Sequence, residues 1–161
     1  MVGEDDTVLA RLDAESAVRR LVGCYCDAVN RRDADAAGAL FAPDARIRIA
    51  TFSPLEGADT IREGMRETFK LHAFIRQSCD IGPIDLDGDT ARARHGVFEA
   101  SHRAGEDSLS LIFGFYEDEY VRLAAGWRFW RRQYTMQMRS RLPVDKLQLI
   151  DGLDLRYAFA P

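Results

Sequence analysis

Apolar residues at Val18, Leu21, Val22, Tyr25 and Val29 recur at the i, i+3, i+4, i+7 spacing of one buried helix face. This pattern starts a strong helix at Ala14, capped by Asp13 or Ser16, and ends it at Asn30-Arg31-Arg32. Residues 1–13 read as a short lead, partly helical through Val8, Leu9 and Leu12. Asp33 caps a second short helix over residues 34–41, and Pro43 stops it because its ring cannot continue a helix. Residues 46–52 alternate, with Ile47 and Ile49 on one face between arginines, which is a strand signature. Pro54 and Gly57 mark a loop. Ile61, Met65, Phe69 and His72 then give a third helix over residues 58–72.

Beyond this helix the chain reads as strands. The first runs over residues 74–86 and is kinked or bulged at Gly82-Pro83. Asp87-Gly88-Asp89 is a hairpin turn into a second strand over 90–103. Turns at 104–107 and at Ala125-Gly126 separate two more, over 108–122 and 127–139. Pro143 opens a partly apolar tail, residues 143–161. No linker or repeat interrupts the chain, so residues 1–161 form one domain. Helices first and strands afterwards predict an α+β fold: a cone-shaped, curved antiparallel sheet wrapped around the N-terminal helices and enclosing a pocket.

Composition narrows the function classes. A chain of 161 residues buries roughly 68–70% of its unfolded surface, enough for a core and a cavity. A net charge of −4 and a pI near 5.4 argue against nucleic acid or an anionic membrane as partner. No apolar stretch approaches the ~18 residues of a membrane span. The start, Met1 to Asp6, is small and acidic rather than basic and then apolar, so a cytoplasmic protein is expected. The cysteines, Cys24, Cys26 and Cys79, are odd in number and read as reduced thiols.

Several segments carry a family likeness. Val29 to Phe52 contains the helix end, Asp33 and Asp35 as D-x-D, Ala42-Pro43 and Arg46-Ile47, with L-F-A-P-D-A at residues 40–45. D-G-D-T-A follows at 87–91, G-x-Y-x-D at 114–118 and G-W-R-F at 126–129. In this order the chain resembles the scytalone dehydratase and SnoaL-like group of the nuclear transport factor 2-like superfamily. The resemblance implies a pocket but carries the chemistry over poorly. The group's pocket Tyr-Asp pair falls on Val29-Asn30, and a second pocket tyrosine falls on Ile49. The histidine that pairs with the aspartate there, and in the similar hexachlorocyclohexane dehydrochlorinase, falls at Gln77. A further pocket histidine falls at Ser101, and a serine and an asparagine fall on Gly114 and Tyr116. Two amides, Asn30 and Gln77, can bind and polarise but do not titrate near neutrality.

A replacement acid or base is sought on the second strand. Arg92 and Arg94 face one way; Ala91, Ala93, His95, Val97, Glu99 and Ser101 face the other, toward the pocket. Glu99 is either a pocket base or a solvated acid at the sheet's mouth, and His95 either a catalytic group or a bonded core histidine. They stand ~13 Å apart along the strand. Tyr25 and Tyr116 either present hydroxyls to a ligand or fill the core. Arg76 either reaches a ligand carboxylate or lies on the surface, and His72 either covers the cavity mouth or plays no part. Asp27 reads as a surface acid, and Asn30 lies either at the pocket's edge or at the C-terminal cap of its helix. No histidine set has metal-ligand spacing, so no metal and no cofactor are expected. Arg131, Arg132, Arg139 and Arg141 read as a solvated sheet face or as dimer salt bridges. Leu109, Leu111, Phe113 and Phe115 on the outer face suggest a homodimer or homotrimer. Three functions remain: a cofactor-free lyase or isomerase acting on a small, carbonyl-bearing cyclic compound; a ligand-binding or catalytically degenerate protein; and a structural partner resembling a ring-hydroxylating dioxygenase β subunit.

Overall fold

The computed structural model describes residues 4–49 and 53–144. Phe52 and the apolar tail beyond Val144 lie outside them. The first helix, α1, runs unbroken over Glu4–Arg31, so neither Asp13 nor Ser16 is a cap. No proline or glycine interrupts residues 4–22, and helix propensity carries the element past its buried part. Val8, Leu9 and Leu12 are accordingly exposed, while Val18, Leu21, Val22, Tyr25 and Val29 form the expected buried face. Each such side chain is worth about 1.5–3 kcal/mol of burial.

Arg32 takes a φ of 56°, which turns the chain sharply out of α1. Asp33 then caps α2, Ala34–Gly38, accepting from the Ala36 amide at 2.9 Å. That backbone bond, helped by Arg31, holds the Asp33 carboxyl below its ordinary range. The helix ends well before Pro43, because Phe41 already opens strand β1, Phe41–Ile49. A two-residue strand β2, Leu55–Glu56, folds back on β1, and α3 follows as Ala58–Lys70. Ile61, Met65 and Phe69 bury the apolar face of α3.

The remaining strands are β3 (His72–Asp87), β4 (Thr90–Arg103), β5 (Ser108–Leu123) and β6 (Gly126–Pro143). The β3–β4 register shifts between Ile81 and Ile84, so Gly82-Pro83 is the expected bulge. The sheet order is β2-β1-β6-β5-β4-β3. One pairing departs from the all-antiparallel expectation: β1 runs parallel to β6. The meander closes through hairpin turns, but β1 arrives from the helical half, and its direction depends on a crossover with no local turn signal. The sheet is open, with β3 at one edge, and α1 packs chiefly on β3.

Candidate functional site

Between α1, α3 and the inner face of the sheet lies a cavity of about 290 Å³. Tyr25 and Val29 of α1 line it, with Ile61, Met65 and Phe69 of α3 opposite. The sheet contributes Ile47 and Ile49 from β1, Gln77 from β3, Glu99 and Ser101 from β4, Tyr116 from β5 and Tyr134 from β6. The alternation read on β4 is therefore correct for Glu99 and Ser101. His72 and the exposed arginines Arg103 and Arg139 mark the cavity's open end. A larger and more open hollow, about 740 Å³, is lined by charged residues including Arg46, Arg92, Arg94, Glu117 and Glu119. The less open cavity between helices and sheet, with its apolar and aromatic lining, is the better ligand site.

One polar chain crosses its wall. Gln77 and Glu99 face each other across β3 and β4. The Gln77 Nε2 donates to Glu99 Oε2 at 3.0 Å, and the Tyr116 hydroxyl approaches Gln77 Oε1 at 3.4 Å as donor. Only one oxygen of the Glu99 carboxylate is engaged, and the other has no hydrogen-bond partner among the described residues. Burial pushes the Tyr116 phenol well above its usual pKa and Tyr134 up to about 12, so both remain proton donors. Arg139 Nη2 donates to Ser110 Oγ at 3.2 Å on the same wall. Position 114 of β5 tolerates only glycine, because a Cβ there would stand 2.3 Å from the Thr135 carbonyl and 3.0 Å from the Tyr134 ring.

Three proposed residues stand elsewhere. Asn30 does not face the cavity: its Nδ2 donates to the Gln77 carbonyl at 3.0 Å, and its Oδ1 accepts from the Gln77 amide at 2.6 Å. It thereby satisfies backbone groups on the free edge of β3. Arg76 is exposed, because the alternation that turns Gln77 inward turns its neighbour outward. His95 shares the inner parity of Glu99 but lies beyond the cavity, 0% exposed. Its Nε2 is 2.7 Å from the Tyr120 hydroxyl, which itself donates to Asp118 at 3.0 Å. With that hydroxyl proton given to Asp118, the His95 Nε2–H must be the donor, leaving Nδ1 unpaired. Desolvation depresses its pKa, with Asp118 opposing, so it is a neutral core histidine.

The structure also buries Arg132, expected on a solvated sheet face or in a dimer salt bridge, against Asp118. Arg132 is 2% exposed. Its guanidinium lies 4.1, 3.9 and 4.0 Å from the ring centres of Tyr25, Tyr116 and Phe129. Burial alone would lower its pKa, but Asp118 reverses the effect and holds the cation firmly charged. Arg132 thus places a fixed positive charge behind Tyr25 and Tyr116 of the cavity. Parity puts Arg132 on the face of Tyr134 and Asp118 on that of Tyr116, but parity alone does not say that the two charges meet away from water.

Comparison with known proteins agrees with this architecture. The family model described as the SnoaL-like domain matches residues 10–133. The uncharacterised protein Rv2910c of Mycobacterium tuberculosis is 26% identical over 129 residues, covering 79% of this chain and 88% of its own. Among solved structures, a protein assigned as a scytalone dehydratase from Novosphingobium aromaticivorans superposes with a TM-score of 0.76 at 20% identity, covering 89% of this chain and 99% of that one. A hexachlorocyclohexane dehydrochlorinase, LinA type 2, gives 0.78 at 17% identity over 95% and 97% of the two chains.

Proposed function

The chain belongs to the SnoaL-like domain family, and from that premise we propose that it moves a proton on a small, largely apolar, carbonyl-bearing cyclic compound, as a lyase or isomerase. One observation carries the reading: the Glu99 carboxylate stands in the wall of a mainly apolar cavity, oriented by Gln77 and with one oxygen left for a ligand. Proton abstraction beside a carbonyl needs a positioned base and a donor for the oxygen that gains charge. Glu99 supplies the base. Tyr116 and Tyr134, kept protonated by burial, supply the donors. Arg132 behind Tyr116 favours negative charge developing on that side. Two of the structural neighbours are named for eliminations, the reaction class that such a pairing serves.

A panel of hydroxylated cyclic ketones tests the reading. The native chain turns over at least one member, and Glu99→Gln lowers kcat about 100- to 10,000-fold, the usual worth of a positioned base. The same compound still raises the melting temperature of Glu99→Gln, because the cavity is intact. Turnover unchanged in Glu99→Gln removes the base assignment. Ligands that raise the melting temperature of the native chain without any turnover make it a binding protein.

A further inference from the structure

The cavity leaves one pair of reactive side chains unused. Cys26 on α1 and Cys79 on β3 are 53 positions apart in sequence, yet their sulfurs lie 3.3 Å from each other. Both thiols are free and partly exposed, whereas Cys24 is buried. Two helix positions turn Cys24 about 200° away from Cys26, so it is no competitor for Cys79. We propose that Cys26 and Cys79 are a redox modification site, a dithiol that a two-electron thiol oxidant closes into an intramolecular disulfide stapling α1 to β3 beside the ligand cavity.

The geometry favours closure. Reaching an S–S bond of ~2.05 Å needs the sulfurs to approach by about 1.3 Å, a distance that side-chain rotation can cover. Cys26 sits inside a continuous helix, and Cys79 pairs with Val97 in the β3–β4 ladder. The two thiols are therefore held side by side rather than brought together by chance. Among the described residues no group of three or more His, Cys, Asp or Glu could hold a metal, so oxidation rather than metal ligation fits the pair.

Hydrogen bonding with Cys79 lowers the Cys26 pKa against the opposing effect of burial, and Arg132 acts in the same direction. The Cys79 thiol is pushed the other way, by Cys26 and by burial. With Cys26 as the nucleophile Cys79 is the resolving thiol, and the chemistry balances equally with the two exchanged. With hydrogen peroxide, the Cys26 thiolate attacks one oxygen and the O–O bond breaks. The departing hydroxide takes up the proton that Cys26 released, giving water and a sulfenic acid. The Cys79 sulfur then attacks the Cys26 sulfur. It displaces hydroxide, which leaves as a second water with the Cys79 proton. Two thiols lose two electrons, and the peroxide gains them. A small-molecule disulfide gives the same product through a mixed disulfide at Cys26, releasing two small thiols.

Asn30 follows Cys26 by one helical turn, and Gln77 precedes Cys79 by two residues. The staple would therefore lie next to the bonds that hold the Gln77 backbone, tying the cavity wall more tightly to α1.

Peptide mapping of the full-length native chain under non-reducing conditions, after hydrogen peroxide or glutathione disulfide, tests the proposal without depending on how a variant folds. The expected product from either oxidant is a Cys26–Cys79 linked peptide, two hydrogens lighter than its parts, with Cys24 free. The melting temperature should rise on oxidation and return with dithiothreitol. Cys24→Ser should behave identically. Cys79→Ser should stop at a Cys26 sulfenic acid with peroxide and at a glutathione adduct with the disulfide. Three unmodified thiols after both treatments, or a crosslink through Cys24 or between chains, would overturn the proposal. Closure by only one oxidant identifies the class that acts on the site.

Discussion

Arg132 on β6 and Asp118 on β5 are cross-strand partners that share two hydrogen bonds, of 2.8 and 2.7 Å, with both side chains sealed from solvent. Three aromatic rings surround the cation, and its Nη1 has no hydrogen-bond partner. Taking both charges out of water is costly, and each partner is tolerated inside only because of the other. Removing one strands the second. Arg132→Met or Asp118→Asn should therefore lower the unfolding free energy by about 3–5 kcal/mol, read from urea denaturation. The double variant Arg132→Met with Asp118→Leu should recover most of that loss. If each single variant costs less than about 1 kcal/mol, the pair is solvated in solution, as surface pairs of that size are.

The contrast between Arg132 and Glu99 shows what could be read from the chain. Glu99 was legible because β4 alternates cleanly from Thr90 to Arg103, and two outward arginines fix its parity. Arg132 was not, because arginine pairs on strands usually meet water, and its acid lies on another strand at a register set by a bulge between Glu119 and Tyr120. His95 shows the limit of parity alone. It faces inward as expected, but depth along the strand, set by where α1 ends the cavity, decides between ligand and core. The parallel β1–β6 pairing was hidden for a similar reason, since no hairpin connects those strands.

His95 should impose an acid limit on stability. Its pKa is lowered in the folded chain from an ordinary value of 6.5, chiefly by desolvation. Below pH 6.5 the unfolded chain takes up a proton there that the native chain refuses. Stability is therefore complete above the unfolded value and falls as the pH drops below it. His95→Gln keeps a donor for the Tyr120 oxygen and does not titrate. Its unfolding free energy should be flatter than that of the native chain over the pH interval just below 6.5. Parallel curves for the two proteins would show that His95 is charged or solvated in the fold.

The tyrosines should set the alkaline limit. Tyr25, Tyr116, Tyr120 and Tyr134 all have raised pKa values through burial, Tyr134 at about 12. Between the ordinary tyrosine value of 10.0 and about 12 the unfolded chain loses the Tyr134 proton while the native chain keeps it. Stability is complete below 10.0 and declines as the pH rises through that window. Tyr134→Phe should shallow the decline measured by chemical denaturation. An unaltered slope would mean that the Tyr134 hydroxyl is fully hydrated.

Asn30 occupies the position where the resemblance places an acid, and its bonds explain why an amide suits the site. The free edge of β3 presents both a donor and an acceptor at Gln77, and a carboxamide answers both. A carboxylate answers only the amide and sets its second oxygen against the Gln77 carbonyl. Asn30→Asp should therefore destabilise the fold by about 1–3 kcal/mol rather than install a base, and Asn30→Ala should cost a similar amount. Either change loosens Gln77 and, through it, the orientation of Glu99. With a substrate from the ketone panel, Asn30→Ala should lose far less kcat than Glu99→Gln when both are assayed well below their melting temperatures. An Asn30→Ala loss equal to that of Glu99→Gln would mean that Asn30 reaches the substrate. Its side chain would then have to leave the β3 edge when ligand binds, and hydrogen exchange at the Gln77 amide would rise with ligand instead of staying protected.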